Sequence, residues 1–584
     1  MSKSTAGYDR PARDPYASRS TVMAPHGMVA TSQPLATEVG LHVLRSGGNA
    51  IDAAVAANAA LSVVEPDSCG IGGDLFAIVW HARTRKLHGL NASGRSPGGL
   101  SLDEFVRRGL EAIPSSGPLS WSVPGCVDGW DQLLQRFGTR PLGELLEPAI
   151  EYARRGFPVS EIISAQWVGA ERRLKQRPGS AKVYLIDGRA PRPGEIFRNP
   201  ALARSYRALA EDGAEAFYRG SLARRLVAYS RRVGGFFSLA DFAQHRSDWV
   251  EPVSVTYRGP SAGSGSPAWQ AEGKTRAESR GGRRVWELPP NCQGIAVLQM
   301  LNILEGFDLA ALGHNTAAYL HLFIEAKKIV FEDRARYYAD PSVRRPADWR
   351  IAKVPIAELL SKSRAEKQRA LIDPARALRL PFRGVPALPG ADETVYLCAV
   401  DSQRNAVSLI QSNYAGFGSF EVPPDLGFCI QNRGCSFALD PNHANVFAPR
   451  KRPFHTIIPG FVTEKGKPLL AFGVMGGDMQ PQGHVQVLCN ILDFGMSVQE
   501  AGDAARFRHT GSSDPTGAAG RGAGTVLLES RIPANVRAGL RKLGHRVAVA
   551  AGAFGGYQAI LIDPATGMLH GGTDPRKDGC AAGY

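Results

Sequence analysis

The chain has 584 residues and a formal net charge of +15, with 43% hydrophobic and 21% charged residues, which is typical of a globular protein larger than one ordinary domain. Its arginines and lysines are scattered in short pairs without interleaved aromatic residues, which argues against a nucleic-acid-binding function. The sequence contains no apolar run long enough to span a membrane and no secretory signal, so we expect a cytoplasmic location. Its 8 cysteines and 13 histidines show no metal-ligand spacing, and we expect neither a metal nor an organic cofactor.

Helices are predicted where apolar residues recur every three or four positions, and strands where they alternate. Residues 1–26 are polar and are expected to form an irregular tail. The predicted elements that follow are helices at 33–46 and 50–61, strands at 76–80 and 86–90, a mainly helical stretch at 142–243, and helices at 293–304, 317–338, 498–507 and 534–543. Residues 260–284 are rich in Gly, Ser and Arg, and they are predicted to be a flexible surface insert.

A threonine begins a clean strand pattern about two-thirds of the way along the chain. From Thr394 to Asp401 the residues alternate between two faces, and a turn leads into a second strand over 406–412. A threonine at this place is an ordinary strand former when taken alone. If the Glu393–Thr394 bond were cut, however, the Thr394 hydroxyl would gain an adjacent base, the new α-amine, whose pKa is ordinarily about 7.7–8.0. Thr394 is therefore our candidate nucleophile.

Several sequence blocks provide the context for this threonine. They are Gly27–Pro34, Leu44–Ala54, Val64–Pro66, Gly70–Asp74, Pro289–Gly294, Arg452–Thr456 and Met475–Asp478. In order and spacing these blocks resemble the γ-glutamyltransferase family of N-terminal-nucleophile hydrolases, from about Gly27 to the C-terminus. Within that family a threonine at the position of Thr394 cleaves its own preceding peptide bond and then becomes the acylated nucleophile.

The resemblance implies an α+β fold, a four-layer αββα sandwich built from two autoprocessed subunits. The large subunit would comprise residues 27–393 and the small one residues 394–584, with cleavage between Glu393 and Thr394. The two subunits would stay together as a heterodimer, and further pairing into a dimer of heterodimers is left open.

The resemblance also implies the catalytic residues. Ser412 matches a second hydroxyl that hydrogen-bonds the nucleophile, although an ordinary turn serine is an alternative. Gly476 and Gly477 match the oxyanion-hole glycines, which let backbone N–H groups approach a developing oxyanion without a side chain in the way. The acyl group would pass from Thr394 to water or to an amine.

The substrate-binding positions depart from the family pattern. The implied set is Arg95, Tyr414, Arg433, Ser436, His455 and Thr456. Members that read glutamate carry an acid at the position of Ser436, and their clamping arginine aligns with Ser93, two residues before Arg95. An arginine suits this role because its planar fork binds a carboxylate through two hydrogen bonds.

Three functions are therefore open. The first is cleavage of γ-glutamyl amides of the glutathione type, by hydrolysis or by transfer to an amine. The alternative is an amidohydrolase of the same family that acts on another carboxylate-bearing amide, of the oxamate or the cephalosporin and glutaryl acylase type. The third is a non-catalytic relative that only binds, against which the retention of Thr394, Gly476 and Gly477 argues.

Overall fold

The computed structural model describes residues 17–258, 282–342, 354–379, 392–520 and 522–584. The strands are β1 (Val22–Ala24), β2 (Met28–Thr31), β3 (Asp74–His81), β4 (Lys86–Ala92), β5 (Phe157–Pro158), β6 (Ile196–Phe197), β7 (Asp248–Val250), β8 (Val253–Tyr257), β9 (Arg283–Glu287), β10 (Asp392–Val400), β11 (Ala406–Ala415), β12 (Gly460–Glu464), β13 (Lys467–Val474), β14 (Phe507–Thr510), β15 (Thr525–Leu528), β16 (Val547–Val549), β17 (Tyr557–Ile562), β18 (Leu569–Thr573) and β19 (Cys580–Gly583). The helices are α1 (Pro34–Arg45), α2 (Ala50–Val64), α3 (Leu102–Arg107), α4 (Cys126–Phe137), α5 (Leu142–Arg155), α6 (Glu161–Lys175), α7 (Pro178–Tyr184), α8 (Pro200–Asp212), α9 (Ala214–Tyr218), α10 (Ser221–Arg232), α11 (Leu239–Ala243), α12 (Gly294–Leu304), α13 (Leu309–Leu312), α14 (Ala317–Tyr337), α15 (Ile356–Leu359), α16 (Lys362–Arg369), α17 (Met479–Leu492), α18 (Val498–Asp503) and α19 (Ala534–Lys542).

Two large sheets form the centre of the fold. The first sheet has the strand order β19-β2-β10-β11-β3-β4-β7, and the second has the order β1-β18-β17-β13-β12-β9-β8. Neighbouring strands in both sheets run antiparallel. Each sheet combines strands that precede Thr394 in the chain with strands that follow it. The two halves of the sequence are therefore built into one another.

Strand β10 is buried on both faces, as its alternating pattern predicts. Val395 and Leu397 pack against the helices that cover the first sheet, whereas Tyr396 and Cys398 point into the core shared with the second sheet. Strand β13 crosses this face so closely that a Cβ atom on Gly473 would lie 2.4 Å from the Tyr396 ring. The two sheets therefore pack face to face.

Helices cover the outer face of each sheet. Helix α2 is held at its start by a capping box between Asn49 and Asp52, and all its residues are buried against the first sheet. Helices α12 and α17 pack on the second sheet, and α14 packs on α12. The predicted αββα sandwich is thus confirmed. No helix in the described ranges combines the length and the apolar character needed to cross a membrane.

Most predicted elements are confirmed, with shifts of a few residues at their ends, but the predicted tail is wrong at one point. Val22–Ala24 form strand β1, because they pair with β18 at the edge of the second sheet. Residues 1–16 of that tail lie outside the described residues.

Two other boundaries also differ from the prediction. Of the predicted insert, residues 260–281 lie outside the described part of the chain, but Arg283 and Arg284 belong to strand β9, where they pair with β8. The helix predicted over 498–507 ends at Asp503, and Phe507 begins strand β14. Helix α17 was not predicted, and its first turns contain Pro481 and Gly483, which weaken a helical pattern.

Candidate active site

Thr394 lies in an irregular part of the β10–β11 pairing. Glu393 pairs with Tyr414 and Val395 pairs with Gln411, so one residue of β10 opposes two of β11 between these pairs. Such a bulge re-aims the side chain at its centre. Thr394 is nevertheless only 2% exposed. The peptide bond predicted to be cut therefore lies at the one break in the register of this hairpin.

The hydroxyls around this bond converge on its carbonyl oxygen. Thr394 Oγ1 lies 2.7 Å from the Glu393 carbonyl oxygen and 3.2 Å from Ser412 Oγ. The Ser412 hydroxyl donates to the same carbonyl at 2.9 Å, and it accepts the Tyr414 backbone N–H at 2.8 Å. Ser412 is thus oriented by one backbone donor and polarises the carbonyl that Thr394 would attack. Thr394 and Ser412 are in direct contact, as the family resemblance implied.

Asp74 anchors the neighbouring strand and was missed by the sequence analysis. It is directly opposite Ser412 in the β11–β3 pairing, and its carboxylate accepts backbone N–H groups from Gly94 at 2.9 Å and Gly125 at 3.1 Å. Next to it, Gly73 approaches β11 so closely that a Cβ atom would lie 2.3 Å from the Ser412 carbonyl oxygen. The Gly70–Asp74 block noted in the sequence therefore fits against the end of the nucleophile's partner strand.

His455 joins this region through Asp74. Its Nε2 atom lies 3.0 Å from Asp74 Oδ2, and both side chains are fully buried. Burial raises the pKa of Asp74 to about 6, although a hydrogen bond from Gln431 opposes the shift. Burial, with the nearby charge of Arg433, lowers the pKa of His455 well below its usual value. At neutral pH the pair is therefore a carboxylate bound by a neutral imidazole.

Arg433 links β11, the partner strand of the nucleophile, to the Arg452–Thr456 block. Its guanidinium carbon lies 4.0 Å from the centre of the Tyr414 ring, and its Nη1 atom donates to Thr456 Oγ1 at 2.8 Å. The side chain is completely buried. Three of the predicted substrate-binding residues, Tyr414, Arg433 and Thr456, thus form one continuous group next to Ser412.

The Gly476–Gly477 turn completes this group of contacts. The φ angles of these residues are 112° and 53°, in the region that favours glycine, and helix α17 begins two residues later. The Gln293 side-chain amide donates both to the Thr456 carbonyl at 2.7 Å and to the Gly477 carbonyl at 2.9 Å. A chain of contacts therefore runs from Thr394 through Arg433 to the turn whose N–H groups are the predicted oxyanion donors.

A buried arginine holds Gln293 in place. Arg334 Nη1 donates to Gln293 Oε1 at 2.7 Å and forms an ion pair with Asp478, the residue before α17. Its Nη2 atom lies 3.3 Å from a carboxylate oxygen of Asp514. The sequence analysis missed Gln293 and Arg334. Gln293 lies inside the Pro289–Gly294 block, which could have indicated a role for it. Arg334 lies inside α14, where no local sequence pattern marks it.

Ser436 and Arg95 have different surroundings. Ser436 is 1% exposed at the end of the short 3-10 helix Arg433–Ser436, and its carbonyl accepts the Asn445 side-chain amide at 2.6 Å. The Arg95 guanidinium is 3.5 Å from the Asp248 carboxylate and donates to the Arg246 carbonyl at 3.3 Å, and Arg452 binds the same two residues. The structure therefore places Ser436 in the same short helix as Arg433 and gives Arg95 an acidic partner that it shares with Arg452.

One buried cluster in the described residues has the composition of a metal site. The donor atoms of His321, Glu325 and His545 lie within 4.8 Å of one another. His321 Nδ1 and His545 Nε2, however, are 2.8 Å apart, a hydrogen-bond distance, and Lys328 Nζ donates to Glu325 at 2.8 Å. These donors already have protein partners, so we interpret the cluster as a structural polar network. The predicted absence of a metal stays a prediction.

The protein has two facing sheets between helical layers, with a threonine at the register shift of the β10–β11 hairpin. These features define the class of N-terminal-nucleophile hydrolase folds. The family model described as gamma-glutamyltranspeptidase matches residues 36–584, and the chain belongs to this family. It is 37% identical to the glutathione hydrolase-like YwrD proenzyme of Bacillus subtilis, over 96% of this chain and 99% of that one. It is 34% identical to the oxamate amidohydrolase proenzyme of Klebsiella pneumoniae, over 97% and 100%. The solved structure of cephalosporin acylase from Bacillus halodurans superposes with a TM-score of 0.84 at 41% identity, covering 100% of this chain and 99% of that one.

Proposed function

We propose that this protein is a proenzyme that cuts itself between Glu393 and Thr394. The observation that carries the proposal is the position of the Thr394 hydroxyl beside the Glu393 carbonyl, which Ser412 already polarises. Attack by Thr394 Oγ1 on that carbonyl carbon forms an ester as the C–N bond breaks, and the hydroxyl proton passes to the departing Thr394 nitrogen. Water then hydrolyses the ester, which frees the Thr394 hydroxyl and leaves a new carboxylate on Glu393.

The cut chain would then turn over amide substrates at the same hydroxyl. The free α-amine of Thr394 accepts the hydroxyl proton as Oγ1 attacks the donor carbonyl, and it returns that proton to the departing amine. The developing oxyanion would be held by backbone N–H groups of the Gly476–Gly477 turn. Water or a second amine then accepts the acyl group. Because both sheets contain strands from each side of the cut, the two pieces would remain together as a heterodimer.

We infer that the donor carries a carboxylate and does best without an α-amine. Arg433 is a fully buried cation in the same short 3-10 helix as Ser436, the position where relatives that read glutamate have an acid. An ammonium group placed beside a buried cation and away from water is costly unless it has a partner. The similarity to an oxamate amidohydrolase and to a cephalosporin acylase supports a donor other than a γ-glutamyl amide.

The second candidate is cleavage of γ-glutamyl amides of the glutathione type. The family match and the similarity to a glutathione hydrolase-like proenzyme favour it. The two candidates share the chemistry at Thr394 and differ in the donor.

A comparison of matched donors separates the two. Glutaryl and γ-glutamyl anilides should be offered to the wild type, to Thr394→Ala and to Ser436→Asp, with aniline release followed. We expect Thr394→Ala to stay uncut and inactive, and Ser436→Asp to shift the preference toward the γ-glutamyl donor. A wild type that prefers the γ-glutamyl donor by about a hundredfold, roughly 2.7 kcal/mol, would assign the second function instead.

A further inference from the structure

The side chain of Glu393 is bound by two residues from distant parts of the chain. Lys577 Nζ and Gln166 Nε2 each donate to the same Glu393 carboxylate oxygen, both at 3.1 Å. Gln166 lies on α6, and Lys577 lies in the connection between β18 and β19. The Lys577 side chain is 10% exposed. We call these two residues the Lys577–Gln166 pair.

Glu393 is also the acyl half of the bond proposed to be cut. Its acyl group is a chain of five carbons that begins at the scissile carbonyl and ends in the bound carboxylate. A glutaryl group has the same five-carbon skeleton, without the nitrogen on the second carbon. An extended chain of this length, together with the 3.1 Å hydrogen bond, places the Lys577 ammonium within roughly 9 Å of the scissile carbonyl carbon. The uncut protein thus holds a dicarboxylic acyl group at the nucleophile and binds its far end.

Hydrolysis of the Glu393–Thr394 ester would remove the covalent link that keeps Glu393 beside the Lys577–Gln166 pair. An acyl group on Thr394 Oγ1 that matches Glu393 in length places its terminal carboxylate at the same number of bonds from that oxygen. Charge-assisted hydrogen bonds from an ammonium and an amide are the contacts that such a carboxylate needs.

The carboxyl groups around Lys577 do not cancel its charge in mildly acidic solution. Burial raises the pKa of Glu65 to about 8 and that of Asp67 to about 7. Although burial acts against it, nearby carboxylates, Glu393 first among them, hold the pKa of the Lys577 ammonium above its usual value. The Glu393 carboxylate contributes to the raised pKa of Asp67, so with a carboxylate beside Lys577 both flanking acids are mostly neutral at about pH 6, and Lys577 is a cation that can pair with that carboxylate.

We propose that the Lys577–Gln166 pair binds the terminal carboxylate of the donor's acyl group in the cut enzyme, and that it selects five-carbon dicarboxylic acyl groups of the glutaryl class. This inference rests on the proposed function of Thr394. It gives Glu393 a second role, as an internal analogue of the donor that fills the site until the chain is cut.

The test uses two anilides of equal acyl length, glutaryl and valeryl, which differ in the terminal carboxylate. Because Lys577 also touches Glu393, its variants are compared as cut protein, with the cut fraction measured by mass spectrometry. We expect Lys577→Met to lower the glutaryl-to-valeryl ratio of kcat/KM at about pH 6.5 by about 10- to 100-fold. Gln166→Leu removes no charge and should lower the same ratio by a smaller factor. It tests the proposal independently if Lys577→Met does not fold.

Lys175→Met is the matched control, since it removes an exposed lysine from the same helix as Gln166 and should leave the ratio as it is. Thr394-dependent hydrolysis with the same ratio in the wild type, Lys577→Met and Gln166→Leu would overturn this inference alone. A ratio that falls in Arg95→Met and not in Lys577→Met would assign the carboxylate to Arg95 and also overturn it. Absence of Thr394-dependent hydrolysis of either anilide would overturn the proposed function, and this inference with it.

Discussion

Replacement of Ser412 by alanine should slow the self-cleavage step far more than it destabilises the fold. When the Thr394 hydroxyl attacks, it stops donating to the Glu393 carbonyl, and the Ser412 hydroxyl at 2.9 Å remains as a donor to the developing oxyanion. Loss of one such donor costs a factor of about 100 to 1000 in rate. We therefore expect the half-time of cleavage to lengthen by that factor.

The same change also removes the acceptor of the Tyr414 N–H group. A buried donor without a partner costs about 1–3 kcal/mol, so Ser412→Ala should unfold at a moderately lower temperature but still fold. Cleavage is followed by gel electrophoresis after synthesis in a cell-free system, and folding by thermal melting. Ser412→Thr retains the hydroxyl and should restore most of the rate.

Ser408→Ala provides a matched control on the same face of β11. Its buried hydroxyl forms a hydrogen bond with the Tyr396 hydroxyl at 2.8 Å and lies four residues from Ser412 along the strand, so its loss should affect stability and not cleavage. A Ser412→Ala chain that cuts within about fivefold of the wild-type rate would refute the proposed role of this donor.

Three further predictions concern the surroundings of the site. Arg334→Met should lower the free energy of unfolding by about 1–3 kcal/mol, because it leaves the buried Gln293 side-chain oxygen without a donor and the half-buried Asp478 and Asp514 without their cation; urea denaturation of the uncut Thr394→Ala background measures this. Gly476→Ala should reduce both melting temperature and anilide hydrolysis more than Gly477→Ala, since a φ of 112° suits an L-residue less than one of 53°, where alanine costs about 1–2 kcal/mol; equal losses would contradict the turn geometry. Glu65 keeps its proton up to about pH 8 when folded but releases it near 4.5 when unfolded, so its stabilising effect is present below that lower value and is lost as the pH rises through 8. The melting temperature of the wild type relative to Glu65→Gln should therefore fall between pH 5 and pH 9, and a constant difference would show that Glu65 titrates normally.

The local patterns in the sequence predicted the elements whose structure depends on local contacts. The alternation after Thr394 predicted the two faces of β10, and the helix predicted over 50–61 corresponds to α2. The strand at Val22–Ala24 was missed because it exists through pairing with β18, more than 500 residues away in the chain. A three-residue edge strand carries too little pattern of its own to be recognised.

In the site, too, residues in continuous motifs were predicted, whereas contacts between residues far apart in the sequence were not. The resemblance predicted catalytic roles for Thr394 and the two glycines, each of which lies in a continuous motif. The hydrogen bonds from Gln293 to Gly477 and from Lys577 to Glu393 each join residues 184 apart in sequence. No periodicity or spacing rule connects such positions, so these contacts required the tertiary structure.

The interleaving of strands in the two sheets determines how the cut molecule can recover from unfolding. An uncut chain folds in a unimolecular process, because β2, β10 and β11 are tethered before they pair. After a cut at Thr394, the same pairing would require two separate polypeptides to meet, so refolding would become second order in protein concentration. The mature enzyme would then persist through slow unfolding and not through reversible folding equilibrium. Self-cleavage would in this way make correct folding an event that each molecule completes once.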